Sequence, residues 1–278
     1  MCSRDNLDEQ GMPKRADVSR MQAFFKGKAY APHRHDTYTI GLTLAGVQSF
    51  DYRGSVRHSR PGGLFILHPD ELHDGRAGTE DGFGYRAINI KPGAIQNVLG
   101  GKSLPFIAGG LSSDIGLQSI VSELLDDLDT PLGELAYDNA LFDLATRLDR
   151  LAGGYGKATS HDLISVQRAR DYLCTHWDEV VSMEDLERET GQSRWSLSRD
   201  FRALLGTSPY RYLVLRRLDR AREMIASGND LADTAYACCF ADQSHLNRQF
   251  KRAFGLTPKA WRDFTSHGNI HPACTIVQ

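Results

Sequence analysis

The last third of the chain carries one sixteen-residue pattern twice. LSRDFRALLGTSPYRY begins at Leu197 and LNRQFKRAFGLTPKAW begins at Leu246. At this offset of 49 residues Leu197 matches Leu246, Arg199 matches Arg248, Phe201 matches Phe250, Gly206 matches Gly255 and Pro209 matches Pro258. Arg202 opposite Lys251 and Tyr212 opposite Trp261 keep charge and shape. Five identities in sixteen positions, a glycine and a proline among them, mark a duplicated supersecondary unit.

Each copy is preceded by a short amphipathic segment. SMEDLERETGQS precedes the first. Ser182 and Asp185 make a capping-box-like start, the acids lie at the positive end of the helix dipole, and Gly191 supplies a left-handed end. NDLADTAYACCFADQS precedes the second, with Asn229 or Asp230 to cap it and Asp242 to cap the next helix. Short helix, tight turn, second helix is the helix-turn-helix plan, whose second helix enters the DNA major groove. Leu197, Phe201 and Leu204 face the core in the first unit, as do Leu246, Phe250 and Ala253 in the second. Between them, SPYRYLVLRRLDRAREMIASG predicts one long helix with the stripe Val214, Leu218, Ala221 and Ile225, ended by Gly228. Such a connector holds two recognition helices apart; about 34 Å would place them in successive major grooves.

The net charge of −2 says nothing about partners, but its distribution does. Residues 162–264 hold 16 Lys and Arg against 15 Asp and Glu. Eight of those arginines lie between Arg194 and Arg222, a stretch whose only acids are Asp200 and Asp219. Residues 248–262 carry five cations and no acid, whereas residues 178–189 carry six acids and one Arg. Cations gathered on the recognition regions, with acids remote from them, are the footprint of phosphate contact.

The first half has another texture. Tyr38, Ile40, Leu42 and Leu44 alternate with Thr39, Gly41 and Thr43, a period of two. Arg53-Gly54 is a hairpin signal inside SFDYRGSV, Pro61-Gly62-Gly63 breaks the chain before an apolar run, and FGYRAINI predicts a further strand. Short strands with regular turns suggest a small antiparallel barrel or sandwich. Two amphipathic helices come next, marked by Leu117, Val121, Leu124 and Leu128, then Leu141, Leu144, Leu148 and Leu151, with Pro131 suited to the first turn of the second. Either these stripes form a dimer contact or they cover the barrel; dimerisation is the expectation. LAGGYGKATSHD then reads as a linker.

With 278 residues the chain suits two domains. It contains no run of 18 apolar residues, which excludes a transmembrane helix. The first fifteen residues are polar and lack the apolar stretch of a secretory signal. The cysteines Cys2, Cys174, Cys238, Cys239 and Cys274 are odd in number and lack C-x-x-C spacing, so a reducing cytoplasm is expected. The expected division is a polar tail over 1–20, a ligand domain over 21–152, a linker over 153–161, a DNA-binding domain over 162–265 and a tail over 266–278.

The segments VSMEDLERETGQSRWSLSRDFRALLGTSPYRYLVLRRLDRARE and LADTAYACCFADQSHLNRQFKRAFGLTPKAWR resemble the DNA-binding domain of AraC/XylS-type bacterial transcription regulators. The resemblance implies two helix-turn-helix units on successive major-groove segments. It places base-reading side chains at Trp195, Ser198 and Arg199, and at Gln243, Ser244, His245, Asn247 and Arg248. Arg bonds guanine bidentately and Gln or Asn bonds adenine. Arg194, Arg202, Arg216, Arg217 and Lys251 are the expected phosphate contacts, with backbone amides near Ser193 and Asp242 beside them. The family usually has Gly where this chain has Cys239; a left-handed residue there costs roughly 1 kcal/mol.

The first half resembles, less specifically, the cupin-like effector domain of these regulators, through PHRHDTYTIG and RPGGLFILHPDELHDG. The whole then reads as an α+β multidomain chain: a cupin-like antiparallel β-barrel with two helices, then an all-α domain. Five of the ten histidines lie between His33 and His73. An H-x-H pair with a distant His is a metal-cupin pattern, but Thr39 and Ile40 stand where a carboxylate ligand belongs. No metal or other cofactor is therefore expected, and His33, His35, Tyr38 and His73 become candidates for a small effector. Double-stranded DNA, that effector, RNA polymerase and a second copy are the expected partners, with no membrane. The rival classes are a metal-dependent cupin enzyme with a helical appendage and a nucleoid protein without sequence preference.

Overall fold

The computed structural model describes residues 18–128, 132–153 and 161–266. The N-terminal half is built from β1 (Val18–Phe25), β2 (Lys28–His33), β3 (Tyr38–Gly46), β4 (Gln48–Tyr52), β5 (Ser55–Ser59), β6 (Leu64–Leu67), β7 (His73–Ala77), β8 (Phe83–Ile90) and β9 (Leu111–Ser112). They form two antiparallel sheets, ordered β1-β8-β3-β6-β9 and β2-β7-β4-β5. The expected barrel is thus a two-sheet, cupin-like jelly roll that does not close. Arg53 and Gly54 both have positive φ, as a two-residue hairpin matching the strand twist requires.

The period of two in β3 sorts its side chains. Tyr38, Ile40 and Leu42 pack outward against helices α1 (Pro92–Leu99), α2 (Ile115–Leu125) and α3 (Glu134–Leu151). The alternate residues face the other sheet: Thr43 donates to Ser59 of β5, and Gly41 leaves room for the inward-facing ring of Phe65 on the neighbouring strand β6, from which a Cβ would stand only 2.4 Å away. Phe25, Phe50, Tyr52, Phe65, Phe83 and Tyr85 fill the space between the sheets.

Three expectations need correction. Residues 18–20 are not tail: they form the first rungs of β1, paired with Ile90, Asn89 and Ile88. A third helix, α1, precedes the two read from the leucine stripes. Those stripes cover the sheet, since Leu117, Val121, Leu124, Leu141, Leu144 and Leu148 are buried against it. A second copy cannot use side chains already spent on the domain's own core. Residues 1–17, Pro131, the 154–160 stretch of the linker and residues 267–278, with Cys2 and Cys274, lie outside the described residues.

The C-terminal half is helical throughout: α4 (Leu163–Thr175), α5 (Met183–Thr190), α6 (Arg194–Leu205), α7 (Pro209–Ala226), α8 (Leu231–Ala237), α9 (Gln243–Phe254) and α10 (Pro258–Ser266). Each repeat unit has its own core. Val166, Ala169, Leu173, Leu186, Leu197, Phe201 and Leu204 form one, and Leu231, Ala235, Cys238, Phe240, Leu246, Phe250 and Trp261 form the other. The connector α7 lends Leu213 to the first core and Val214, Leu218, Ala221 and Ile225 to the second, so the two units share one rigid rod.

Candidate nucleic-acid interface and the domain contact behind it

Helices α5 and α6 are joined by a turn whose chemistry is local. Ser182 and Asp185 close a reciprocal capping box at the start of α5, and Gly191 ends it at φ 69°. Glu187 then accepts from the backbone N–H of Arg194 at 2.7 Å. In the second unit Asp230 caps α8 and Asp242 caps α9 through the N–H of His245. Of the helix-start amides near Ser193 and Asp242 expected to meet phosphate, those of Arg194 and His245 are already bonded within the protein. Cys239, in the second turn, does adopt a left-handed φ of 55°. Its thiol donates to the Asp178 carbonyl at 2.8 Å, which ties this turn to the segment before α5. Burial pushes the neighbouring Cys238 thiol up to about 11, the behaviour of a structural cysteine.

The N-terminal halves of α6 and α9 are open to solvent. Trp195 stands 81% exposed, so it is not a packing residue, and Arg199 is exposed beside it with Ser198 half-buried. Gln243, Ser244 and Arg248 are exposed on α9, and Asn247 is half-buried. His245 is turned inward, its ring edge-on to Phe240 and near Gln249.

The five arginine and lysine positions expected on phosphate divide into two groups. Arg202 and Lys251 are exposed. Arg194, Arg216 and Arg217 are committed inside the protein. Arg194 bonds Glu184 and Glu187, which clamps α6 to α5, and those carboxylates raise its pKa. Arg217 donates to the carbonyls of Trp177, Glu179 and Cys239. Arg216 pairs with Asp36 of the N-terminal half and with Asp219 at 3.2 Å. A count of cations along the chain does not distinguish a guanidinium facing DNA from one that fastens loops.

The C-terminal ends of the same two helices rest on the N-terminal domain. The repeat-related glycines Gly206 and Gly255 both cap their helices with positive φ, 74° and 72°. A Cβ on Gly206 would lie 2.7 Å from Pro69, and one on Gly255 would lie 3.4 Å from the Ala31 carbonyl and 3.5 Å from His33 Nδ1. The amide of Leu104 donates to Ala203 of α6, and that of Arg34 to Arg252 of α9. Asp70, at φ 61°, is the hub: its amide donates to His35, its carbonyl accepts from Arg34, and its carboxylate accepts from Thr207 at 3.1 Å and faces Arg211. On α6, Asp200 accepts from His161, Arg199, Gln192 and the Asp162 amide. Burial works against ionisation of Asp200, but these donors outweigh it and hold the carboxyl at about 2. Asp36, Asp70 and Thr207 escape sequence reasoning because nothing in their spacing connects segments so far apart in the chain.

His33, His35 and His73 come together at the meeting of β2 and β7, with ligand-capable nitrogens within 4.8 Å of one another. Burial is the main cause that lowers all three rings, His35 to about 4. Tyr38 does not join them. It lies on the opposite face of β3, donating to Pro105; Thr39 is the β3 residue that reaches the cluster, 3.3 Å from His35 Nε2. One more histidine, His68, is buried between Tyr52 and the Ile107 amide.

The comparisons with known proteins agree with this geometry. Residues 15–145 match the AraC-like ligand binding domain, and residues 186–263 match a helix-turn-helix domain. The HTH-type transcriptional regulator YbfI of Bacillus subtilis is 28% identical over 238 residues, covering 80% of this chain and 84% of that protein. The transcriptional activator RhaS of Yersinia pestis is 33% identical over 93 residues, about a third of each chain. The crystal structure of ToxT from Vibrio cholerae superposes with a TM-score of 0.60 at 12% identity, covering 90% of this chain and 97% of that one, which establishes the shared two-domain fold. With an AraC-like ligand-binding domain on a pair of helix-turn-helix units, the chain belongs to the AraC family of transcription regulators.

Proposed function

We propose that this regulator reads a specific DNA site through α6 and α9 and that the N-terminal domain controls them by holding their far ends. The observation that carries this reading is the polarity of the two helices: open where base edges would be met, docked at their glycine caps. Trp195, Ser198, Arg199, Gln243, Ser244, Asn247 and Arg248 contact bases, Arg202 and Lys251 contact phosphate, and His245 supports Gln249 and the start of α9. A ligand that alters the rim bearing Arg34, Asp36 and Asp70 alters the placement of the recognition helices; by linkage DNA and effector then change each other's affinity equally.

The molecule works as a regulator rather than a catalyst, in the cytoplasm, with RNA polymerase as its partner at the promoter. Among the described residues no helix is long and apolar enough to cross a membrane. ToxT has been crystallised with an unsaturated fatty acid, and a largely apolar effector is the class proposed here; the aromatic side chains that fill the space between the sheets would have to part to admit it. A second copy docks on the outer face of α2 and α3, where Ile115, Leu135 and Phe142 are exposed. Selecting bound fragments from the host genome tests the reading: recovery of one shared motif supports it, and recovery without sequence preference rejects it in favour of a nucleoid protein.

A further inference from the structure

We propose that His33, His35 and His73 form a divalent transition-metal site, with zinc as the fitting ion, at the rim where β2 meets β7 beneath the end of α9. The ring nitrogens set the chemistry. His33 Nδ1 lies 2.8 Å from the Ala31 carbonyl, His35 Nδ1 3.0 Å from that of Thr37, and His73 Nδ1 2.9 Å from that of Glu71. A carbonyl oxygen only accepts, so each Nδ1 carries the proton and donates. Each neutral ring is then left with its lone pair on Nε2. This is the arrangement by which outer-shell carbonyls orient metal-binding histidines.

The rings converge rather than merely neighbouring one another. His33 and His73 are directly paired across β2 and β7, and the ring centroid of His73 lies 4.4 Å from that of His33 and 4.7 Å from that of His35. One ligand-capable nitrogen from each ring lies within 4.8 Å of the other two, and Zn–N bonds of about 2.0–2.1 Å would draw the three closer still. Thr39 supplies a second, independent sign. Its hydroxyl donates to Asn89 Oδ1 at 2.5 Å, which leaves an oxygen lone pair facing His35 Nε2 at 3.3 Å. Two facing lone pairs invite a cation between them. Three imidazoles with neither thiolate nor carboxylate suit Zn²⁺, Co²⁺ or Ni²⁺, with a fourth position open to water or a ligand atom. Arg34 and Asp36 alternate with these histidines and bond the DNA-binding domain, so an ion here fixes the strand on which α9 rests.

The site is tested without DNA, so its failure leaves the regulator reading untouched. Tag-free full-length protein, stripped with chelator, is titrated with Co²⁺ and then Zn²⁺. The expected result is one ion per chain, visible d–d bands of a four- or five-coordinate nitrogen site, and their loss as Zn²⁺ displaces Co²⁺. His35→Ala and His73→Ala, checked for native circular dichroism, should each weaken Zn²⁺ binding by more than the about 10–100-fold typical of an outer-shell loss. Absence of stoichiometric uptake by the unsubstituted chain overturns the proposal. So does a thiolate charge-transfer band, which would place the ion on cysteine.

Discussion

Arg216 of α7 forms an ion pair with Asp36, the residue directly after the H-x-H pair, and so joins the connector of the two helix-turn-helix units to the rim of the N-terminal sheet. Both side chains are largely buried, at 13% and 15% exposure, and the guanidinium also lies over the Tyr212 ring. Burial favours neutral Arg216, yet the charges of Asp36 and Asp219 prevail and raise its pKa. Asp36→Ala removes one partner and leaves a buried charge half-compensated, at a cost of roughly 3 kcal/mol, the low end for a broken buried pair because Asp219 remains. Hydrogen exchange should show α7 losing protection in that variant. A double variant with Arg216→Met should cost less than the sum of the singles; additive effects would mean that the pair carries no coupling.

Acid should loosen the first recognition helix. Asp200 is held at about 2 against an unfolded value near 3.8, so its contribution is present above pH 4 and is lost as pH falls from about 4 to 2. The shift corresponds to about 2 kcal/mol. Asp200→Asn should remove that share at neutral pH and flatten the acid limb of the stability profile; an unchanged limb would contradict the assignment.

A different pH window belongs to His68. Burial, with the nearby Arg53 charge as the second cause, lowers its ring to about 4 from an ordinary 6.5. The folded state therefore keeps it neutral while the unfolded chain takes up a proton. Stability is full above pH 6.5 and falls by roughly 3 kcal/mol on the way to pH 4. His68→Gln should lose one proton's worth of that slope in denaturant midpoints measured across the window. An identical slope would show that His68 titrates normally.

Self-association should depend on the outer face of α3. Leu135 is 75% and Phe142 59% exposed, one heptad apart on the same helix face. Phe142→Glu should convert a dimer to monomer in light scattering while leaving the thermal midpoint within a few degrees, because the side chain is already solvent-facing. A dimer that survives the change would move the interface elsewhere.

The helical half is legible in the sequence because its signals are local. The 49-residue repeat, the Ser182–Asp185 capping box, Gly191, and the caps Asp230 and Asp242 act within a turn of their own position. Strands β3 and β8 are legible through alternation and bounding glycines, whereas the start of β1 is not, because Ser19 and Arg20 blend into the polar segment before them. Alternation also leaves open which face of β3 is the inner one. Tyr38 shares the helix-facing side of the pleat with Ile40, and Thr39 holds the position beside the histidines. The roles of Arg194, Arg216 and Arg217 are hidden because each is decided by a partner on another element, and for Arg216 that partner lies 180 residues away.

Sequence reading by α6 and α9 is the central claim, and Arg199 and Arg248 test it most directly. Full-length protein is titrated against a selected duplex and a scrambled one at fixed salt. Arg199→Ala and Arg248→Ala should each lose about 1–3 kcal/mol on the selected duplex and almost nothing on the scrambled one. Discrimination equal to the unsubstituted chain in both variants would contradict the account.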